Sequence, residues 1–218
     1  MSDSVRQGAF PVGASPPPRR AFTLTIYVVF LLSGAAAVIY QLIWQRVLLG
    51  MYGSSIEAVT VVVTSFMLGL GFGSLAGGWL ADRPRVNVPL WFAWVELTIG
   101  LFGLVSIPTF HWVGRLTATA RIEMVWALAL LLLLVPTMLM GATLPLLTAY
   151  LNRRLRNVGA SVGNLYAVNT LGSAAGAVVA VLFIVGSLGQ QGSVLVAVGL
   201  NLVVAASVVV VARNDKDS

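Results

Sequence analysis

The sequence has no cysteine, one histidine (His111) and few charges, since only 9 % of its 218 residues are charged. Without cysteine, disulfides, thiol catalysis and cysteine-ligated metals are excluded. One histidine cannot build a zinc or haem site alone, so we expect no metal and no cofactor. A soluble domain carries about 25 % charged residues on a surface that faces water. The composition therefore predicts a polytopic membrane protein whose main partner is the lipid bilayer.

Apolar residues make up 58 % of the chain and predict an all-α integral membrane fold. We expect helices because the bilayer offers no hydrogen-bond partner to an unpaired backbone group. The expected domains are a disordered cytoplasmic tail (1–20), a transmembrane domain (21–212) and a short charged cytoplasmic tail (213–218). Six transmembrane helices are predicted, at about 22–45, 56–80, 88–108, 124–147, 162–185 and 193–212.

The basic residues predict the orientation, because Lys and Arg concentrate in cytoplasmic loops. One side of the predicted membrane holds most of them: Arg6, Arg19, Arg20, Arg83, Arg85, Arg153, Arg154, Arg156, Arg213 and Lys216. We therefore expect a multi-pass protein of the bacterial inner membrane with both termini in the cytoplasm. The loop at 109–123 is expected to face outward, with Trp112 at the membrane interface. No basic face with interleaved aromatic residues exists, so we expect no nucleic-acid partner.

Glycines recur four residues apart in two of the predicted spans. Gly69, Gly73 and Gly77 share one face of the second span, and Gly172 and Gly176 share one face of the fifth. This spacing lets the backbone of another helix approach closely. We therefore expect helix packing at both positions.

Several strings in the sequence resemble known families. Gly78-Trp-Leu-Ala-Asp82-Arg83-Pro-Arg85 resembles the loop 2–3 signature of the major facilitator superfamily, although the second glycine of that pattern is missing. Three further strings are SGAAAVIYQLIWQR at 33–46, PTMLMGATLP at 136–145 and GNLYAVNTLG at 163–172. Together they resemble the membrane region of bacterial fused major-facilitator/spermidine-synthase-like proteins, over about residues 28–205.

The resemblance implies six transmembrane helices arranged like one half of a major facilitator fold. It also implies a polyamine link, because the family joins such a region to a cytoplasmic aminopropyltransferase-like domain. No such domain is present in these residues, and the family's catalytic residues carry over to no position. We therefore expect that this chain is not itself an enzyme.

Polar residues inside the spans are the candidates for a substrate or ion site. Glu96 stands near the middle of the third span, where a carboxyl is costly and marks either a cation or proton site or an acid that fixes helix packing. Gln41 and Gln45 share one face of the first span, where they line a cavity or join helices by hydrogen bonds. The same two alternatives hold for Tyr166 and Asn169 on the fifth span.

A second cluster, Asp82, Arg83 and Arg85, lies at the predicted cytoplasmic end of the second span, and we expect it to act as a conformational latch. Two functions agree with these features. The chain is the membrane subunit or anchor of a spermidine-synthase-like, polyamine-related system with a separate soluble synthase-like partner. Alternatively, it is a small half-facilitator transporter for polyamines or other cations, which needs a homodimer to supply the second wall of its site.

Overall fold

The computed structural model describes residues 20–52, 56–84, 86–155 and 157–214, and all regular structure within them is helical. The predicted tail 1–20, except for Arg20, lies outside the described residues, as do Arg85 and residues 215–218. A π-helical turn, Ala180–Ile184, joins the fifth helix to the sixth. The helices are α1 (Arg20–Tyr52), α2 (Ile56–Ala81), α3 (Val88–Leu116), α4 (Ile122–Leu155), α5 (Val158–Val179) and α6 (Val185–Asn214).

Five helical segments in this part of the chain are long and apolar enough to cross a membrane. They are Thr23–Met51, Ile56–Ala81, Val88–Leu116, Ile122–Arg153 and Val158–Arg213. The prediction of an all-helical protein with membrane-type helices is therefore confirmed at this level. The last segment has 56 residues and contains both the fifth and the sixth predicted spans.

The long segment Val158–Arg213 does not run straight, because its backbone turns at Gly189, which has φ 65° and ψ −169°. L side chains rarely adopt this left-handed conformation, whereas glycine does so readily. On a straight helix Gly176 and Asn201 would lie roughly 37 Å apart. In the structure Gly176 contacts Ala35 and Asn201 contacts Tyr40, and these two α1 residues lie within two turns of each other. The chain therefore folds back at Gly189, and α5 and α6 both pack against α1.

The order of the contacts shows which helices run parallel. Positions 33, 40 and 44 of α1 meet positions 96, 103 and 106 of α3, in the same order. Positions 69, 73 and 77 of α2 meet positions 137, 138 and 142 of α4 in the same way. In a bundle whose successive helices alternate in direction, every second helix is parallel. The pairs α1–α3 and α2–α4 follow this pattern.

Small residues allow two helix pairs, α2–α4 and α1–α5, to touch backbone to backbone. The missing side chain of Gly73 leaves room for the carbonyl of Met138, and Gly77 lies against Ala142. On the other side of the bundle, Gly172 lies against the carbonyl of Leu31. Without a hydrophobic driving force between helices in lipid, such close contact is a main source of helix association.

The turn between α3 and α4 is shorter than the loop expected at 109–123. Helix α3 continues to Leu116, and the Thr117 hydroxyl donates a hydrogen bond to the Val113 carbonyl at 2.8 Å. Pro108 stands inside the helix without ending it. The connection to α4 is therefore confined to about residues 117–121, and Trp112 lies in the last turns of α3 with its side chain exposed.

Gly73 and Gly71 offer a matched test of the α2–α4 contact. A Cβ atom at Gly73 would overlap the Met138 backbone, whereas a Cβ atom at Gly71 would meet nothing within 4 Å. We expect Gly73→Ala to destabilise the protein by about 1–3 kcal/mol, as overpacking does, and Gly71→Ala to leave stability unchanged. Thermal unfolding of the two purified variants in mild detergent measures the difference, and equal unfolding would contradict the packing described here.

Candidate functional site

A buried carboxyl lies at the junction of α1, α3 and α6. Glu96 of α3 has no exposed surface, and each of its oxygens accepts a hydrogen bond. The Ser33 hydroxyl of α1 donates to Oε1 at 2.6 Å, and the Asn201 amide of α6 donates to Oε2 at 2.6 Å. The Tyr40 hydroxyl of α1 in turn donates to Asn201 Oδ1 at 3.0 Å. We call these four residues, Ser33, Tyr40, Glu96 and Asn201, the carboxyl cluster.

Two glycines of α3 lie against residues of the carboxyl cluster. A Cβ atom at Gly100 would stand 3.5 Å from the Cβ atom of Asn201, and one at Gly103 would stand 2.6 Å from the Tyr40 hydroxyl oxygen. The first distance is ordinary van der Waals contact, whereas the second is a clash, so a side chain at Gly103 would push Tyr40 away from α3. Gly103 thus leaves room for Tyr40, whose hydroxyl donates to Asn201.

An aromatic column continues the cluster along α1. The Trp44 ring stacks on Tyr40 with 5.0 Å between centroids, and its edge-on neighbours include Phe102 and Phe110 of α3. The Trp44 indole donates to the Ser106 hydroxyl at 3.1 Å. The polar groups of both buried aromatic side chains are therefore hydrogen-bonded, as buried groups must be to avoid a desolvation cost.

The hydrogen bonds of the carboxyl cluster join three helices, α1, α3 and α6. The hydrogen bonds described for Glu96 come from neutral side chains, and Asn201 is only 2 % exposed. No carboxyl oxygen is open to a ligand that approaches from outside the bundle. In an apolar environment, satisfied hydrogen bonds hold such a group in place, while removal of a partner is costly.

The other predicted residues of the spans lie on a different side of α1. Gly34 contacts α5, where the Ser173 hydroxyl donates to the Gly34 carbonyl at 3.1 Å, and Asn169 Oδ1 lies 2.6 Å from the position of a Cβ atom at Gly34. Gln41 and Gln45 are half-buried and continue this face of α1, being seven and eleven residues beyond Gly34.

We call Gln41, Gln45, Tyr166, Asn169 and Ser173 the α1–α5 strip. Tyr166 lies one turn before Asn169 on α5 and is 62 % exposed. Ser33, which binds Glu96, and Gly34, which contacts α5, are consecutive residues and point about 100° apart on the helix. Asn169 contacts this face of α1 at Gly34, and Gln41 and Gln45 lie on the same face about 10 and 16 Å further along the helix, whereas Glu96 is bound from another face of α1.

The predicted latch residues lie at the end of α2. Asp82 and Arg83 are exposed, and the Arg83 guanidinium stacks 3.6 Å from the centroid of the Trp79 ring. Arg85 lies outside the described residues. The Arg153 guanidinium of α4 donates to the carbonyl of Ala81 at 2.9 Å, which satisfies a terminal carbonyl of α2. The latch itself stays a prediction.

Sequence reasoning missed the partners of Glu96. Ser33 and Tyr40 are seven residues apart and therefore share one face of α1, and Asn201 is an isolated amide in the middle of the sixth predicted span. These signals pointed to polar contacts inside the bundle but not to which helices meet. Within the described residues, no three His, Cys, Asp or Glu side chains are close enough to hold a metal ion.

Comparison with known proteins gives one informative match. The chain is 30 % identical over 215 residues to polyamine aminopropyltransferase 1 of Streptomyces coelicolor. The match covers 96 % of this chain but only 39 % of that protein, so the chain spans well under half the length of its relative. No protein-family profile matches the chain. No solved structure matches it either.

Substitutions at Glu96 test the role of the carboxyl cluster. We expect Glu96→Ala to destabilise the protein strongly, because it leaves the Ser33 and Asn201 donors buried without an acceptor, at about 1–3 kcal/mol for each. Glu96→Gln should cost much less, since the Asn201 amide can rotate by 180° and accept from the new amide while Tyr40 accepts from Asn201. Thermal unfolding in detergent compares the two variants, and an Ala variant as stable as the Gln variant would refute this account.

Proposed function

We propose that the chain is the membrane part of a polyamine-related aminopropyltransferase system, and that it anchors the aminopropyltransferase unit to the bilayer. The observation that carries this proposal is the similarity to a polyamine aminopropyltransferase along 96 % of the chain. In this proposal the segments on either side of Gly189 are two separate spans. The bundle then has six spans in the arrangement of one half of a major facilitator, in the inner membrane with both ends in the cytoplasm.

The distribution of acids supports an anchor in preference to a catalyst. Aminopropyl transfer requires several carboxylates to hold an amine and a sulfonium cosubstrate. The acids with described positions are Glu57, Asp82, Glu96 and Glu123, and Glu96 alone lies in the middle of a helix bundle. Because its oxygens are already hydrogen-bonded within the carboxyl cluster, we infer that the transfer chemistry belongs to residues outside the described bundle.

The placement of charged residues at the two ends of the bundle supports the same proposal. Arg83 and Arg153 lie at one end, where Arg153 joins α4 to the end of α2. Arg115 and Arg121 lie at the opposite end, beside the α3–α4 turn. With the first end in the cytoplasm, the exposed arginine and aspartate side chains there form a polar surface against which a soluble unit can rest.

Cell fractionation tests the anchor role. Aminopropyltransferase activity is measured in the membrane pellet and in the supernatant of cells that produce residues 1–218 and of cells from which the coding sequence for these residues alone has been deleted. We expect deletion to move the activity from the pellet to the supernatant. The full chain and its Glu96→Gln variant should return it to the pellet, whereas the destabilised Glu96→Ala variant should not. An unchanged distribution after deletion would overturn the proposal.

The α1–α5 strip favours a second candidate function, which is transport by a homodimer. Its amide and hydroxyl groups lie partly exposed on the side of the bundle, where a second copy would enclose them.

If the chain is such a transporter, we expect Gln41→Leu and Asn169→Leu to lower the uptake of labelled spermidine into proteoliposomes by about tenfold, equivalent to about 1.4 kcal/mol of lost binding. Val38→Leu is the control on the same face, and uptake equal to that of protein-free vesicles would exclude transport of this substrate.

A further inference from the structure

An apolar groove lies between α3 and α4 at the end of the bundle opposite to Arg153. It has a volume of about 450 Å³, within the range of small-molecule sites. Its walls include Phe102, Trp112, Leu116, Leu128, Leu131 and Val135. Several of these side chains are widely exposed, for example Leu131 at 58 % and Val135 at 59 %. The proposed anchor role makes no use of this groove.

The length of the groove matches one leaflet of a bilayer. Phe102 and Leu116 lie about 21 Å apart along α3, and Leu116 stands at the last residue of that helix. A bilayer is about 40–45 Å thick when its head-group regions are included, so that one leaflet accounts for about 20–22 Å. A groove that begins at the helix end and stops near the midplane fits a lipid tail. A partner transmembrane helix would have to continue through the other leaflet.

The residues at the mouth of the groove fit the head group of a phospholipid. Arg115 and Arg121 stand beside the α3–α4 turn, and the described acid there is Glu123. The Arg121 side chain is 89 % exposed, and it lies 3.7 Å from Glu123 in an exposed pair. Exposed pairs of this kind contribute little, so Arg121 remains available to a phosphate. The Trp112 ring, at the same end, is of the type enriched at membrane interfaces.

We propose that this groove binds one acyl chain of a membrane phospholipid, with the lipid phosphate at Arg121. The occupant is an anionic phospholipid such as phosphatidylglycerol, because two arginines stand against one glutamate at the mouth. The apolar wall covers the chain, and the arginine fixes the depth of the head group. This site is separate from both the carboxyl cluster and the α1–α5 strip.

Photo-crosslinking in vesicles tests the proposal. The full chain is reconstituted in phosphatidylcholine vesicles that contain a trace of phosphatidylglycerol with a diazirine on its acyl chain, and the labelled peptides are identified by mass spectrometry. We expect labelling to concentrate on residues 102–135. Equal labelling of this region and of the exposed face of α6 would show ordinary annular lipid only and would overturn the site.

Two matched double variants sharpen the test. We expect Leu128→Trp with Leu131→Trp to lower labelling of the groove by about fivefold, because the rings cover the apolar surface that the lipid chain would bury. Leu195→Trp with Leu202→Trp changes two similarly exposed leucines of α6 and should leave groove labelling unchanged. All four substitutions point away from the bundle core, and thermal unfolding equal to that of the unsubstituted protein verifies the fold. Undiminished labelling of the filled groove would overturn the proposal.

A separate control tests the part of the proposal that places the lipid phosphate at Arg121. Arg121→Gln should lower labelling by the phosphatidylglycerol probe and leave labelling by the matching phosphatidylcholine probe unchanged. If both probes respond equally, or neither responds, Arg121 does not select the anionic head group, and the proposal in its present form is wrong. Neither result depends on aminopropyltransferase activity, so a failure here is distinguishable from a failure of the anchor role.

Discussion

A carboxyl placed among apolar helices must receive hydrogen bonds from its neighbours, and at Glu96 this requirement determines how three helices meet. The donors come from α1 and α6, so that α3 is tied to both at one level. Gly103 leaves room for Tyr40 beside α3, and the Trp44 ring stacks on Tyr40. Glycine contacts join α5 to α1, and further glycine contacts join α2 to α4.

The structure separates two kinds of polar residue that cannot be told apart in the sequence, because both lie within predicted membrane spans. The polar groups of the carboxyl cluster are buried and satisfy one another, whereas the α1–α5 strip keeps amide and hydroxyl groups at a partly exposed boundary. We expect the first kind to contribute to stability, whereas binding by the second kind belongs to the proposed transport function. A polyamine carries positive charge, and the strip contains no carboxylate in the described residues. Transport of a polyamine would call for an anionic group in the strip, whereas the proposed anchor role requires none.

Much of the fold could be predicted from the sequence because lipid leaves few choices for the backbone. Apolar length predicted helices, and the four-residue spacing of Gly69, Gly73 and Gly77 indicated a close-packed face. Helix ends were harder to predict. The mixed polarity of residues 109–116 predicts a loop, although α3 continues through them to Leu116. Side-chain contacts were the hardest to predict, because Glu96 and Asn201 are 105 residues apart and their hydrogen bond depends on the fold-back at Gly189.

The turn at Gly189 also has a consequence for the synthesis of the protein. Because α6 packs on α1 and α3, it joins helices that left the ribosome much earlier. At about 5–20 residues per second, the 105 residues between Glu96 and Asn201 take roughly 5–20 s to make. During that interval Glu96 has Ser33 but lacks its amide donor from α6. The nascent bundle therefore remains open beside α3 until α6 arrives and supplies the Asn201 amide.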